Sequence, residues 1–298
     1  MPSLSFQTLF EVPGLPRFDL PEALEATYGR FGLPEHVVYA NFVSSVDGIA
    51  AIPNVARSSA LISGGNPADR FVVALLRAAA DAVVIGAGTF RAHSGPWTAQ
   101  KAYPDAAAHF VEFRRRQGAA PEPMLVVVTG SGHLQGSGSK LWGAIVATTS
   151  QAADRAREQA GDAAEVVPVG ETGPIEVRGL MGMLSARGFR RILTEGGPKL
   201  MGELLRAGAV DELFLTLSPV LVGGSRDHVR QTLAAGVDLL PAGPLAGRLT
   251  SVRSHGSYLF LRYELHPESL PRTGRAVRGD GDAMNPREGD RVRRRWNP

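Results

Sequence analysis

Residues 66–89, NPADRFVVALLRAAADAVVIGAGT, decide the fold. Asn66-Pro67 opens a helix, because the asparagine side chain accepts free amides at the cap and a proline in the first position sacrifices no intrahelical hydrogen bond. Phe71, Ala74, Leu75 and Ala78 fall on one helical face, Arg70 and Arg77 stand seven apart on a neighbouring stripe, and the helix is predicted to end near Ala80. Asp81-Ala82-Val83-Val84-Ile85-Gly86 then reads as a buried strand running into Gly86-Ala87-Gly88-Thr89. A helix feeding an apolar strand that stops at a glycine turn is one unit of a parallel α/β sheet.

The same alternation extends outward in both directions. Upstream, residues 37–43 read as a buried strand ending in Ser44-Ser45-Val46-Asp47-Gly48, and residues 1–35, with five prolines, read as an irregular N-terminal arm laid over the body. Downstream, strands are expected at 124–129, 144–148, 165–167, 190–194 and 210–217, with helices at 151–160, 175–187 and from Pro198 to near Gly208. A closing hairpin pairs 249–254 with 258–265. The expectation is one α/β domain, residues 36–265, with a mainly parallel central sheet, helices on both faces and an antiparallel C-terminal hairpin.

The chain has 298 residues, 44% of them apolar and 20% charged, with a formal net charge of +3. That excess sits in residues 266–298, which hold eight Arg against five acids. The remainder is neutral, which removes the electrostatic case for a nucleic-acid binder, and the Arg-rich tail is expected to be disordered for lack of apolar residues. Zero cysteines exclude disulfides, thiol nucleophiles and thiolate metal sites. The seven histidines form no paired metal motif, so no metal is expected, and Trp97, Trp142 and Trp296 are too dispersed for a base-stacking platform. Ser137-x-x-Lys140 has the spacing of a penicillin-binding nucleophile but lacks its helix start and companion motifs. No apolar run is long enough to span a membrane and residues 1–30 show no secretory pattern, so a cytoplasmic protein without a membrane partner is expected.

Ligands of open α/β sheets sit outside the carboxyl ends of the strands. Three such ends stand out. Glu195-Gly196-Gly197-Pro198 bares the backbone at a helix start, where a phosphate can approach free amides, with Glu195 at the rim of a site or simply exposed on a turn. Gly86-Ala87-Gly88-Thr89 offers close backbone approach and a hydroxyl, but Arg91 stands where a dinucleotide fingerprint needs its third glycine, so a conventional Rossmann fold is not supported. Asp47, between a strand and Gly48, is a turn-former or a substrate ligand.

Together these motifs resemble the reductase domain of riboflavin biosynthesis, within the dihydrofolate-reductase-like superfamily. The resemblance rests on Ser45-Val46-Asp47-Gly48, Asp81-Ala82-Val83 through Gly86-Ala87-Gly88-Thr89, Glu195-Gly196-Gly197, Gly208-Ala209-Val210-Asp211-Glu212, and Pro219 through Gly223-Gly224, across residues 37–265. It implies an NADPH-dependent oxidoreductase that reduces the ribosylamino group of 5-amino-6-(5-phosphoribosylamino)uracil to a ribitylamino group, commonly as a homodimer. Residue by residue, it implies that Glu195 and Asp47 are catalytic, with Asp47 orienting pyrimidine or ribose and Glu195 orienting reacting groups or relaying a proton. Gly86, Gly88, Thr89, Gly196 and Gly197 would line the cofactor, and Thr129 and Ser131 would meet its adenosine ribose or 2′-phosphate. Asn41, Ser45, Ser63, Arg70 and Arg77 would lie on the substrate side, with Arg70 either on the substrate phosphate or in a surface ion pair. The alternating strand at 210–217 is a candidate subunit contact.

The chain departs from the family at Asn41, where many members carry Lys, and at Phe90-Arg91-Ala92-His93-Ser94, where acids are common. A zinc deaminase of the kind fused to this reductase in bifunctional members is excluded by the absence of cysteine. Alternatives are a pterin or dihydrofolate reductase of the same fold and a non-catalytic NADP-binding protein.

Overall fold

The helix that opens the decisive stretch spans Pro67–Ala79, and the Asn66 side chain accepts the Ala68 amide at 2.8 Å. A computed structural model describes residues 4–53, 55, 58–93, 95–134, 138–224, 229–240 and 244–265. The expected tail at 266–298, Ser94 and Ser137 lie outside the described residues. In chain order the elements are β1 (Gln7–Glu11), α1 (Glu22–Tyr28), β2 (Val37–Ser45), α2 (Ser58–Ser63), α3 (Pro67–Ala79), β3 (Ala82–Gly86), α4 (Ala87–Ala92), α5 (Ala99–Ala102), α6 (Ala107–Arg116), β4 (Met124–Thr129) and β5 (Ala144–Thr148). There follow α7 (Ala153–Ala160), β6 (Ala164–Pro168), α8 (Val177–Ala186), β7 (Arg191–Thr194), α9 (Pro198–Arg206), β8 (Glu212–Ser218), β9 (Gly247–His255) and β10 (Tyr258–Leu265). No helix among the described residues is long and apolar enough to cross a membrane.

The strands form one sheet in the order β1-β9-β10-β8-β2-β7-β3-β4-β5-β6. From β8 to β6 every neighbouring pair is parallel, whereas β10, β9 and β1 extend the β8 edge antiparallel. This is the mixed sheet expected from sequence. The central strands are apolar on both faces because both are covered. Val83, Ile85, Val127 and Val146 pack with α3, α6 and α7, while Val84, Val126, Ile145 and Ile192 pack with α8. Ala40 and Val210 pack with Met201 and Leu204 of α9.

One expectation is corrected. Residues 7–35 are not an irregular arm: β1 pairs with β9, and Leu20, Leu24, Tyr28, Phe31 and Leu33 are buried in the main core. The prolines end local segments there without preventing burial. Strand β8 is hydrogen-bonded on both edges, by β2 and β10.

Three aspartates of the quoted motifs fasten strand ends. Asp81 accepts the amides of Arg190 and Arg191 at 2.9 and 2.8 Å, tying the start of β7 to β3. Asp211 accepts the Val38 amide at 2.7 Å, tying β8 to β2. Asp47 accepts the amides of Val222 and Gly223 at 3.2 and 2.7 Å, so the segment around 219–224 is stapled to the turn after β2. Motifs far apart in sequence are thereby single structural units.

Candidate active site

The parallel pairing brings the carboxyl ends of β2, β3, β4 and β7 side by side. Glu195, directly after β7, donates its amide to the Val84 carbonyl at 3.0 Å, which stitches its turn to β3. Its register continues Leu193, which pairs with Tyr39 and Val83 on the α3 side of the sheet. The carboxylate therefore points under α3, where Arg77 holds it: Nε donates to both oxygens at 3.0 and 3.1 Å, and Nη2 donates to Oε2 at 2.6 Å. The two side chains are only 12% and 10% exposed. Glu195 is thus not a free carboxylate on a turn but one half of a guanidinium clamp, whose fork geometry fixes the orientation of both groups.

The glycine turns meet above this pair. A Cβ on Gly197 would lie 3.3 Å from Thr89 Oγ1, so the β3 and β7 turns face one another. Gly196 has a local reason to be bare, since a Cβ would come within 2.6 Å of the Leu200 side chain of α9. Gly86 and Gly88 have none: neither has positive φ, and an added Cβ would meet no atom within 4 Å at either. Open space over an ordinary backbone suits a ligand that must approach closely. Thr129 is buried at the end of β4, its carbonyl accepting the Thr148 hydroxyl at 2.7 Å, and Ser131 is exposed beyond it with its carbonyl accepting from Arg155 at 3.2 Å. Thr129 closes the strand next to β3, and Ser131 follows it in the loop beyond.

The remaining substrate-side candidates divide. Asn41 on β2 is half-buried, pairs with Phe214 in register, and lines a small cavity with Val72 and Thr216 under α3. Ser45 donates to Asp47 at 2.5 Å and accepts the Ile49 amide at 2.9 Å. That hydroxyl, followed by the Gly223 and Val222 amides, holds the exposed Asp47 carboxyl down to about 2. With three donors already taken, Asp47 is fitted to hold the loop more than to grip a ligand. Ser63 is buried and spent within the fold, its hydroxyl directed to the Ala60 carbonyl at 3.3 Å and its carbonyl taking the Tyr258 hydroxyl at 3.0 Å. Arg70 is exposed and donates to the Ala102 carbonyl at 3.1 Å, away from the Glu195 clamp. His93 Nδ1 lies 3.1 Å from the Thr89 carbonyl, with its ring against Trp97.

Sequence reasoning passed over Asp69. It lies in the first turn of α3, is 8% exposed, and burial pushes its carboxyl up to about 6, with the Glu195 charge acting in the same sense. The Thr216 hydroxyl of β8 lies beside it and opposes the shift, yet falls short of a full hydrogen bond and has no other partner among the described residues. A usable signal existed: Asp69, Val73 and Arg77 are four apart in sequence and therefore share one helix edge.

This geometry defines the class: an α/β protein with a candidate small-molecule site at the carboxyl ends of its central strands, built from a clamped carboxylate and two facing glycine turns. More particularly, the chain belongs to the RibD C-terminal domain family, whose model matches residues 36–256. It is 30% identical over 190 residues to the 2,5-diamino-6-ribosylamino-4(3H)-pyrimidinone 5′-phosphate reductase of Archaeoglobus fulgidus, across 63% of this chain and 82% of the relative. It is 31% identical over 195 residues to the riboflavin biosynthesis protein RibD of Mycobacterium tuberculosis, where it spans 65% of its own length but only 45% of the relative's. Among solved structures, a pyrimidine reductase-like protein from Corynebacterium diphtheriae shares the fold with a TM-score of 0.63 and 24% identity, over 82% of this chain and 98% of that one.

Proposed function

We propose that the chain is an NADPH-dependent reductase of riboflavin biosynthesis. In this reading it converts the ribosylamino group of 5-amino-6-(5-phosphoribosylamino)uracil, or of the closely related diaminopyrimidinone phosphate, to a ribitylamino group. The observation that carries the reading is the family match over 36–256, reinforced by a named reductase aligned along 82% of its length.

NADPH, when bound, supplies a hydride. The bare backbone at Gly86 and Gly88 fits such a group, with Thr89, Gly196 and Gly197 beside it and Thr129 and Ser131 toward its adenosine end. The chain's own part is positioning: reacting atoms need to stand about 3–3.5 Å apart, and a rigid clamp secures that better than a mobile side chain. Glu195, fixed by Arg77, orients the ribosylamino group from the floor of the cleft, and Asn41 meets the pyrimidine from β2. Asp47 contributes by keeping the 219–224 loop over the same strand ends. Assembly as a homodimer and a cytoplasmic location belong to the same reading.

The test is NADPH oxidation by the purified protein with either pyrimidine phosphate or with dihydrofolate. Turnover of a pyrimidine phosphate is expected, and a preference for dihydrofolate would replace this reading by a pterin one. NADPH binding without turnover of any of the three would leave a nucleotide-binding protein.

A further inference from the structure

Helix α3 crosses the sheet diagonally. Its first turn places Asp69 beside Thr216 of β8, and its last turn both receives the Tyr39 hydroxyl of β2 on the Leu76 carbonyl at 2.8 Å and grips Glu195 after β7 through Arg77. Asp69, Val73 and Arg77 form one edge of the helix, with Val73 and Arg77 only partly covered. Eight residues separate the two charged ends, about 12 Å along the axis. The two strands they overlie lie on either side of β2, about 10 Å apart.

The chemical roles at the two ends differ. Both Glu195 oxygens are taken by guanidinium donors, so this carboxylate is committed to orientation. Among the described residues Asp69 has no cation paired with it, and its neighbouring side-chain group on β8 is a hydroxyl. The charge that reaches it from outside its own helix is that of Glu195, itself matched by Arg77, and α2 carries no ionisable side chain.

We infer that Asp69 is the proton-donating acid of this site, a catalytic role separate from the orienting role of the Arg77–Glu195 clamp. The inference rests on the reductase reading. In the step it serves, the C1′–O4′ bond of the ribosyl ring breaks and its electron pair stays on O4′, which takes the proton from the Asp69 carboxyl. The amino nitrogen's lone pair forms the C1′=N bond, and the hydride from NADPH then adds to C1′, leaving a neutral amine and NADP⁺. Asp69 is left as a carboxylate and regains its proton from water, so one hydride and one proton are consumed per turnover. A buried acid near 6 suits this task, since it is neutral often enough to donate and ionises readily once it has done so.

The test compares wild type with Asp69→Asn, which keeps shape and loses the proton. In wild type, kcat should fall as pH rises through about 6 to 8, because the protonated form is the active one. In the variant, kcat at pH 6 should drop about 100-fold, the pH limb should vanish, and NADPH affinity by fluorescence titration should stay within about threefold, all within the range of a lost general acid. Infrared difference spectra between the two proteins should show a protonated carboxyl that titrates near 6. A variant with kcat within threefold of wild type, an unchanged pH limb, or a carboxyl already ionised at pH 5 would overturn the assignment. If wild type turns over neither pyrimidine phosphate, the reductase reading itself fails and takes this step with it, which separates the two failures.

Discussion

Replacing Arg77 by methionine strips Glu195 of its three hydrogen bonds to the guanidinium while leaving its carboxylate 10% exposed beneath α3. Methionine retains most of the aliphatic stem, so the loss is chiefly electrostatic. Breaking a buried ion pair from one side costs about 3–5 kcal/mol, because the remaining charge is left desolvated and unmatched. The residual exposure here argues for the lower end, about 3 kcal/mol. For a domain of this size that corresponds to a fall in Tm of about 6–9 °C. The assay is urea unfolding of wild type, Arg77→Met, Glu195→Gln and the double variant. The double variant should recover at least about 1 kcal/mol relative to the sum of the singles, because neither charge is then stranded. Additive effects, or a single-variant loss below about 0.5 kcal/mol, would mean that the clamp behaves as an ordinary surface pair and does not fix Glu195.

Three further outcomes follow from the same geometry. The Asp69 carboxyl, raised from 3.8 to about 6 by burial, contributes stability that is full below pH 4 and is lost as pH rises to 6; Asp69→Asn should remove this dependence, worth about 3 kcal/mol by linkage, in unfolding midpoints measured from pH 4 to 8. Asp47, held down to about 2, stays ionised well below ordinary carboxylate pH, and Asp47→Ala should speed hydrogen exchange at the Val222 and Gly223 amides without altering exchange in β3 or β4. Gly88→Ala adds a methyl to open space inside α4, so stability should stay level or rise by up to about 1 kcal/mol, while NADPH should bind at least tenfold more weakly by titration calorimetry. Equal binding would mean that the space over this turn is not used by the cofactor.

The parts of the fold legible in the sequence were those whose signal is local. Met124–Thr129 and Ala144–Thr148 coincide with their predicted ranges because an uninterrupted apolar run between turn residues has few alternatives. Helix α6 escaped notice because its sequence, AAHFVEFRRR, is polar around most of its circumference. Only Phe110, Phe113 and Arg114 are buried, and Arg114 is spent on the Ala78 and Ala80 carbonyls at 3.0 and 2.8 Å, closing the end of α3. The N-terminal region was misread for a related reason: β1 and α1 are short, and what orders them is distant, such as Arg253 of β9 donating to the Tyr28 carbonyl at 3.1 Å.

At the site, the glycine turns and Glu195 were visible as motifs at strand ends. Their partners were not. Arg77 and Glu195 are separated by 118 positions, and nothing in either local sequence states that one clamps the other. Asp69, an acid in the first turn of a helix, carries no local signal that sets it apart; only the packing of α3 over β8 reveals that it is buried with no cation paired to it among the described residues. Asp47 carried the opposite ambiguity, and its contact with the amides of a loop 175 residues away has no local signal in the sequence.

The most direct measurement is steady-state NADPH oxidation with 5-amino-6-(5-phosphoribosylamino)uracil, wild type against Glu195→Gln, with product identified by mass spectrometry. Wild type should form one ribitylamino product per NADPH consumed, and the variant should lose ten- to a thousandfold in turnover with cofactor affinity little changed, within the range of a disrupted positioning group. Turnover unchanged in the variant, or no pyrimidine reduction by wild type, would contradict the central assignment of this site.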